Sequence, residues 1–234
     1  MGAEVALAGA LLLPLQAWRA RSGEILTVSD PQGDCYRARV VRIDAAAAVL
    51  VPFTVCPAFE SPLRIEVYQA IPDKERFELV LQKLTELGAT RIVPFTCQRS
   101  TTREARDARQ KKSHRWPEVV WRAARQCRRE LLPELWEPLT WNDCLQEAAS
   151  ADLALLLYEG EGCLPLRTAL QNFSGHRVAL LIGPEGGFTA EEVTQARQSG
   201  SLPVALGPRI LRTETAAISA LTVVQYELGD LGRR

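Results

Sequence analysis

Residues 177–193 read RVALLIGPEGGFTAEEV, and the fold follows from reading outward from this stretch. Arg177 to Ile182 is a nearly continuous apolar run of strand length, as expected for a strand covered on both faces. Thr189 and Glu192 have the spacing of a capping box and Gly200 is a stop signal, so a helix is predicted over Thr189 to Ser199. Downstream the alternation repeats, with a strand at Leu202 to Leu206 and a last helix from about Thr213 to Leu228. Upstream, Asp152 to Tyr158 is another apolar run and Pro165 to Gln171 the helix after it. Earlier still, Leu63 to Ala70 reads as a strand. Asp73 can cap a helix whose apolar positions Phe77, Val80, Leu81, Leu84 and Leu87 keep helical spacing until Gly88, and Thr90 to Phe95 is the next strand. Strand and helix in alternation imply an α/β domain with a mainly parallel sheet.

The first sixty residues have a different texture. Glu24 to Val28, Cys35 to Ile43 and Ala47 to Val51 are short strand-like runs separated by turn residues such as Ser29-Asp30-Pro31-Gln32-Gly33-Asp34. In Cys35 to Val40 the arginines alternate with smaller residues, as on a strand with one wet face. This portion reads as a small β-barrel or sheet module over 1–62, with Cys56 to Pro62 as the linker to a second domain over 63–234. Val5 to Leu15 is expected to be a core strand. It is too short and too interrupted by Gly9 and Pro14 to span a membrane, and no Lys or Arg precedes it as in a signal peptide, so a cytoplasmic location is expected.

The 234 residues are 47% apolar and 24% charged, which excludes disordered and collagen-like classes. The six cysteines are scattered without a CxxC pair, and His114 and His176 lie in polar stretches with no partner at catalytic spacing. Reduced, packed thiols and no metal site are therefore expected. The formal net charge is zero, but it is unevenly spread. From Arg99 to Arg129 there are eleven basic residues against Glu104, Asp107 and Glu118, with Trp116 and Trp121 interleaved. Such a segment suits a polyphosphate backbone, and equally a solvated helix face.

Ligands of open α/β sheets sit beyond the carboxyl ends of the strands, so the residues following each strand are the ones to inspect. Two junctions begin Gly-Pro directly after a buried strand. One is Gly183-Pro184-Glu185-Gly186-Gly187-Phe188, and the other runs from Gly207-Pro208-Arg209 through Ile210-Leu211-Arg212 to Thr213-Glu214-Thr215. Neither is a dinucleotide fingerprint or a P-loop. The runs LLIGPEGGFTAEEV (180–193) and LGPRILRTETAAISAL (206–221) closely resemble the carboxyl-terminal motifs of RsmE-type methyltransferases of the SPOUT superfamily. LQKLTELGATRIVPF (81–95), Arg99-Ser100 and Gln126-Cys127-Arg128 are similar to further segments of that family. The resemblance spans roughly 63–230, with weaker likeness before it to the family's PUA-like amino-terminal β-barrel.

The resemblance implies an S-adenosylmethionine-dependent enzyme that methylates N3 of a uridine in 16S ribosomal RNA, in the assembled 30S subunit, and works as a homodimer. It implies a SPOUT-type sheet ending in a deep trefoil knot, a topology rare enough that pattern alone would not suggest it. The donor-binding residues carried over are Leu156, Leu157 and Tyr158; Ile182, Gly183, Pro184, Glu185, Gly186, Gly187 and Phe188; and Leu206, Gly207, Pro208, Arg209, Ile210 and Leu211. RNA contacts fall to Arg99, Arg103, Arg122, Arg125, Arg128 and Arg129, and to Arg37 and Arg39 of the barrel, with Arg19 and Arg42 beside them.

A sulfonium methyl is already activated, so the protein need only align donor and nucleophile, help the uracil imide lose its proton and exclude water. Arg212 and Arg128 are the candidates to stabilise the developing enolate-like charge, and Glu185 or Glu214 to orient an arginine or take the proton. Arg212 could instead pair with Glu214 at the helix start, and Arg128 could serve the RNA backbone. Phe188 or Trp121 could stack on a splayed uridine or simply pack in the core. Cys127 reads as packing. Two departures stand out: Arg125 replaces the family's usual acid in the central helix motif, and Met1 to Leu13 shortens or replaces the usual first strand. Rival readings are an RNA-binding protein of the same fold without methyl transfer and a SPOUT enzyme acting on transfer RNA.

Overall fold

The computed structural model describes residues 2–57, 60–72, 74–100, 115–171 and 173–232. The Asp73 cap and Arg103 lie outside the described residues. The chain divides into two compact units, Met1–Glu60 with Ala124–Leu132, and Ser61–Ala123 with Pro133–Arg234. One boundary between the units falls between Glu60 and Ser61. Residues 124–132 count with the first unit, so the second is not the single stretch 63–234 expected from sequence. Both hydrogen bonds from Arg129 to Glu60 lie inside the first unit and tie this distant segment into it.

The first unit is a four-stranded antiparallel sheet in the order β1-β4-β3-β2, with β1 Val5–Ala8, β2 Ile25–Ser29, β3 Cys35–Ile43 and β4 Ala47–Cys56. Leu26, Ala38, Val40, Ala48 and Leu50 form its core with Leu12 and Leu15. Val5 to Leu15 is not a core strand. Only β1 is extended, at the sheet edge and largely exposed, and Gly9, with φ of 59°, turns the chain into a 3-10 segment and helix α1 (Leu13–Ala17) that deliver Leu12 and Leu15 to the interior.

Among the described residues, every strand ladder of the second unit is parallel. The order is β10-β12-β9-β11-β5-β6-β7, with β8 also on β6. The long strands are β5 Arg64–Ala70, β6 Arg91–Thr96, β9 Leu153–Leu157, β11 Arg177–Ile182 and β12 Leu202–Ala205. β7 Glu134–Leu135, β8 Leu139–Thr140 and β10 Leu164–Pro165 are short. The helices are α2 Lys74–Glu86, α3 Trp116–Gln126, α4 Trp141–Ala148, α5 Leu166–Leu170, α6 Ala190–Gln198 and α7 Thr213–Glu227. Sequence periodicity did not reveal α4 or the two-residue strands, which are too short to carry a pattern of their own.

The apolar runs are covered on both faces because alternate side chains enter different cores. Leu155, Leu157, Val178, Leu180 and Ile182 join Phe77, Val80, Leu81, Leu84 and the α7 residues Ala217, Ala220, Leu221 and Val224 on one side. Leu156, Ala179 and Leu181 join Tyr68, Phe95, Trp141 and Phe188 on the other. Truncating a leucine in such a two-sided core removes transfer energy and leaves a cavity.

Local signals shape the ends. Thr189 accepts from the Glu192 amide and the Glu192 carboxylate accepts from the Thr189 amide at 2.8 Å, completing the capping box. Thr189→Ala should therefore lower stability by about 1 kcal/mol in urea denaturation. Asp152 receives the amides of His176 at 2.8 Å and Arg177 at 2.9 Å, which hold its exposed carboxyl below the usual carboxylate range. A folded pKa below the unfolded value gives stability that is present above pH 3.8 and lost as pH falls through the folded pKa. Between pH 6 and about pH 3 the urea midpoint of Asp152→Asn should fall less than that of the parent; equal falls would remove Asp152 from the acid response.

Candidate active site

Leu157 of β9 pairs with Ile182 of β11 on one side and Val204 of β12 on the other, so the carboxyl ends of all three strands stop at one level. The two Gly-Pro loops leave β11 and β12, which are not direct neighbours, because β9 lies between them. Where these ends meet, a cavity of about 290 Å³ opens, at the lower edge of the usual range for small-molecule sites. Leu157, Ile182, Ile210, Leu211 and Ala216 form its apolar wall. Arg76, Glu159, Glu185 and Arg212 supply charge, and Gly183, Pro184 and Gly187 bring backbone to its surface.

Glycine suits two of those positions. A Cβ on Gly183 would stand 3.1 Å from the Phe188 ring, and Gly187 has φ of 66° with Glu159 Oε1 3.3 Å from where a Cβ would be. Thr213, the first residue of α7, donates its hydroxyl to the Gly183 carbonyl at 2.5 Å and joins the two loops. Arg76 donates to Glu185 Oε1 at 3.1 Å across the cavity wall. The segment after β6 braces the 183–188 loop from outside, since Arg99 donates to the Gly186 carbonyl at 2.8 Å and the Gln98 amide to Glu192 at 2.8 Å.

Of the donor-binding positions expected from sequence, Leu157, Ile182, Gly183, Pro184, Glu185, Gly187, Phe188, Ile210 and Leu211 line the cavity. Leu156 does not: strand alternation turns it into the opposite core. Tyr158 packs beside that core too, while Gly186, Gly207, Pro208 and Arg209 are exposed and Leu206 packs against the first core. None of these lines the cavity.

Among the catalytic candidates, Arg212 and Glu185 are at the cavity and Glu214 and Arg128 are not among its lining residues. One Glu214 carboxylate oxygen is buried without a hydrogen-bond partner, and no ion pair joins Arg212 to Glu214 among the described residues. Arg128 counts with the first unit, where its left-handed backbone (φ 63°) carries a carbonyl that accepts from Thr27. Phe188 stacks parallel to Phe95 at 6.4 Å and lies 5.3 Å from Trp141, so its ring is occupied by core packing.

The arginines expected at RNA separate as well. Arg39 and Arg122 are exposed, Arg122 bridging Glu118 at 2.9 Å, and Arg99 is exposed while holding Gly186. Arg37 is half-buried against the Thr27 hydroxyl, and Arg125 pairs with Glu24 at 2.8 Å. Arg129 is only 6% exposed and forked onto Glu60, which makes it a structural cation rather than a surface one. Burial pushes the Cys97 thiol up to about 11 and raises Cys144 further from reactivity, in keeping with packed thiols.

Sequence reasoning missed Arg76, Glu159 and Thr213 as cavity residues, and Gln69 behind them. Arg76 and Thr213 lie in first helical turns and Glu159 follows β9, while Gln69 is near the end of β5; a place at the carboxyl end of the sheet was the available signal.

Residues 59–225 match the RNA methyltransferase domain family. The ribosomal RNA small subunit methyltransferase E of Synechocystis sp. is 33% identical over 208 residues, covering 88% of this chain and 67% of that protein. The crystal structure of the ribosomal RNA small subunit methyltransferase E from Neisseria gonorrhoeae, bound to S-adenosylmethionine, is similar with a TM-score of 0.73 at 32% identity, over 98% of this chain and 94% of that one. A Legionella pneumophila protein described as a methyltransferase and solved with the same cofactor shows a TM-score of 0.71 at 36% identity, over 98% and 94% of the two chains. The fold thus falls in the class of RNA methyltransferases. Within that class, the chain belongs to the ribosomal RNA small subunit methyltransferase E family.

Proposed function

We propose that this protein transfers the methyl group of S-adenosylmethionine to N3 of one uridine of 16S ribosomal RNA in the assembled 30S subunit, acting in the cytoplasm as a homodimer. The observation that carries the reading is the cavity built by the 183–188 and 210–213 segments at the aligned ends of β9, β11 and β12. Its residues fit the cofactor. Leu157, Ile182, Leu211 and Ala216 suit an adenine ring, the carboxylates of Glu159 and Glu185 suit a sulfonium cation, and Arg76 suits a carboxylate. Gly183 and Gly187 keep Cβ atoms out of the cavity, and the Gly187 amide closes the loop onto the Pro184 carbonyl at 2.9 Å.

Bound S-adenosylmethionine supplies a methyl group already activated by its positive sulfur. Arg212 stabilises the negative charge that develops on a uracil carbonyl as the imide passes its N3 proton to bulk water. Glu185 orients Arg76 through their 3.1 Å contact. The apolar wall keeps water from competing with the uridine nitrogen.

The path of the chain supports a carboxyl-terminal deep trefoil knot. From β11 it passes beyond β9 to form β12, then returns through α7 to pack against β11 and β5. The antiparallel sheet of the first unit fits a PUA-like RNA-binding barrel, with Arg37 and Arg39 toward RNA, and Arg99, Arg103, Arg122, Arg125 and Arg128 fit additional backbone contacts.

The test is incubation with labelled S-adenosylmethionine and undermethylated 30S subunits, followed by nucleoside mass spectrometry. N3-methyluridine at one position is the expected result. Label confined to transfer RNA would overturn the substrate, and failure to bind the donor would leave an RNA-binding protein.

A further inference from the structure

Gln69 is the second-last residue of β5 and is wholly buried, yet it is polar and only half satisfied. Its Nε2 donates to the Ala70 carbonyl at 2.9 Å and to Thr213 Oγ1 at 3.0 Å, while its Oε1 has no hydrogen-bond partner. The Ala70 carbonyl can only accept, so the nitrogen must face that side, and the orientation of the amide is decided. Thr213 Oγ1 thus receives a proton from Gln69. Its own proton must then go elsewhere, and the Gly183 carbonyl is 2.5 Å away.

The geometry points to Gln69 as a positioning residue for methyl-donor binding, acting through Thr213: by donating to the threonine hydroxyl it compels that hydroxyl to hold the Gly183 carbonyl. The inference rests on the reading of the cavity as the donor site. Three features support it. An apolar side chain at a fully buried position would leave no unpartnered acceptor, so the amide is retained for its donor side. The relay joins three separate segments, the end of β5, the start of the 183–188 loop and the first turn of α7, and two of these line the cavity. Gly183 has no side chain to anchor it, and a Cβ there would stand 3.1 Å from Phe188.

Gln69→Met keeps the shape and removes the donor. Thr213→Val keeps the shape and removes the relay, whereas Thr213→Ser keeps the relay. Titration calorimetry with S-adenosylmethionine should show Gln69→Met and Thr213→Val each weakening binding by about tenfold, as losing one hydrogen bond does. The double variant should be no weaker than either single one, and Thr213→Ser should stay within about twofold of the parent. Affinity for small-subunit RNA should be unchanged in all, which general unfolding would not allow. In ligand-free protein, amide hydrogen exchange at 183–188 should quicken in Gln69→Met. Losses that multiply in the double variant, or parent-like binding by Gln69→Met, would overturn the relay. If Gln69→Met does not fold, Thr213→Val set against Thr213→Ser provides the second route, and parent-like donor binding by Thr213→Val would overturn the relay. Parent protein that fails to bind the donor would defeat the cavity reading instead, and the exchange result would still judge the relay.

Discussion

Glu66→Leu should destabilise the protein by about 3 kcal/mol or more, the range found when one partner of a buried ion pair is removed. The Glu66 side chain is fully buried at the centre of a polar group inside the parallel sheet. Arg177 holds it with two bonds, Nε to Oε1 at 2.7 Å and a terminal nitrogen to Oε2 at 2.9 Å. Arg91 approaches Oε1 at 3.5 Å, and the buried Tyr68 hydroxyl donates to Oε2 at 3.0 Å. Leucine would strand a buried phenol, strip Arg177 (25% exposed) of its two-bonded carboxylate and leave Arg91 (13% exposed) with its 3.0 Å bridge to Glu134.

Glu66 is on β5 and Arg177 opens β11, so the pair also secures the register in which Ala179 sits opposite Glu66. That register sets where Gln69 and Gly183 emerge at the far end. Urea denaturation of Glu66→Leu beside Glu66→Leu/Arg177→Met should show the second change recovering part of the loss. A loss below about 1 kcal/mol in the single variant would reduce the pair to an ordinary surface bridge.

Arg212→Ala should slow methyl transfer by about 100-fold or more at saturating donor and subunits, the usual effect of removing a group that stabilises developing oxyanion charge. Arg212 is exposed beside the cavity and its side chain makes no capping bond to α7, so thermal stability should change little. Single-turnover rates with undermethylated 30S subunits separate this from donor binding, which calorimetry reads independently. Arg212→Lys should recover part of the rate because the charge stays while the planar fork is lost. An unchanged rate in Arg212→Ala would take the residue out of the chemistry.

Arg129 and Arg212 show how far sequence alone reaches into the site. Both are arginines in motif-like surroundings, and nothing in their immediate neighbours distinguishes them. Arg212 reaches the cavity. Arg129 is taken up by Glu60, sixty-nine residues away in the chain, and is lost to any surface role. Leu156 and Leu157 make the same point on a strand: both were expected at the donor, and the pleat sends one to each face.

Local features were legible in the sequence because local physics decides them. The Thr189–Glu192 capping box, the positive-φ glycines at 88 and 200 and the apolar strands β9 and β11 depend on residues within a few positions of one another. The family motifs were legible too, since both Gly-Pro loops are continuous runs. Strand order was not, because hydrophobic pattern says that a strand is buried without saying between which neighbours. Only the tertiary structure sets β9 between β11 and β12, gathers Arg76, Glu159 and Thr213 at one cavity and brings Gln69 to Thr213 across 144 positions. Long-range contacts of that kind arise from the packing of whole elements, which no window of sequence contains.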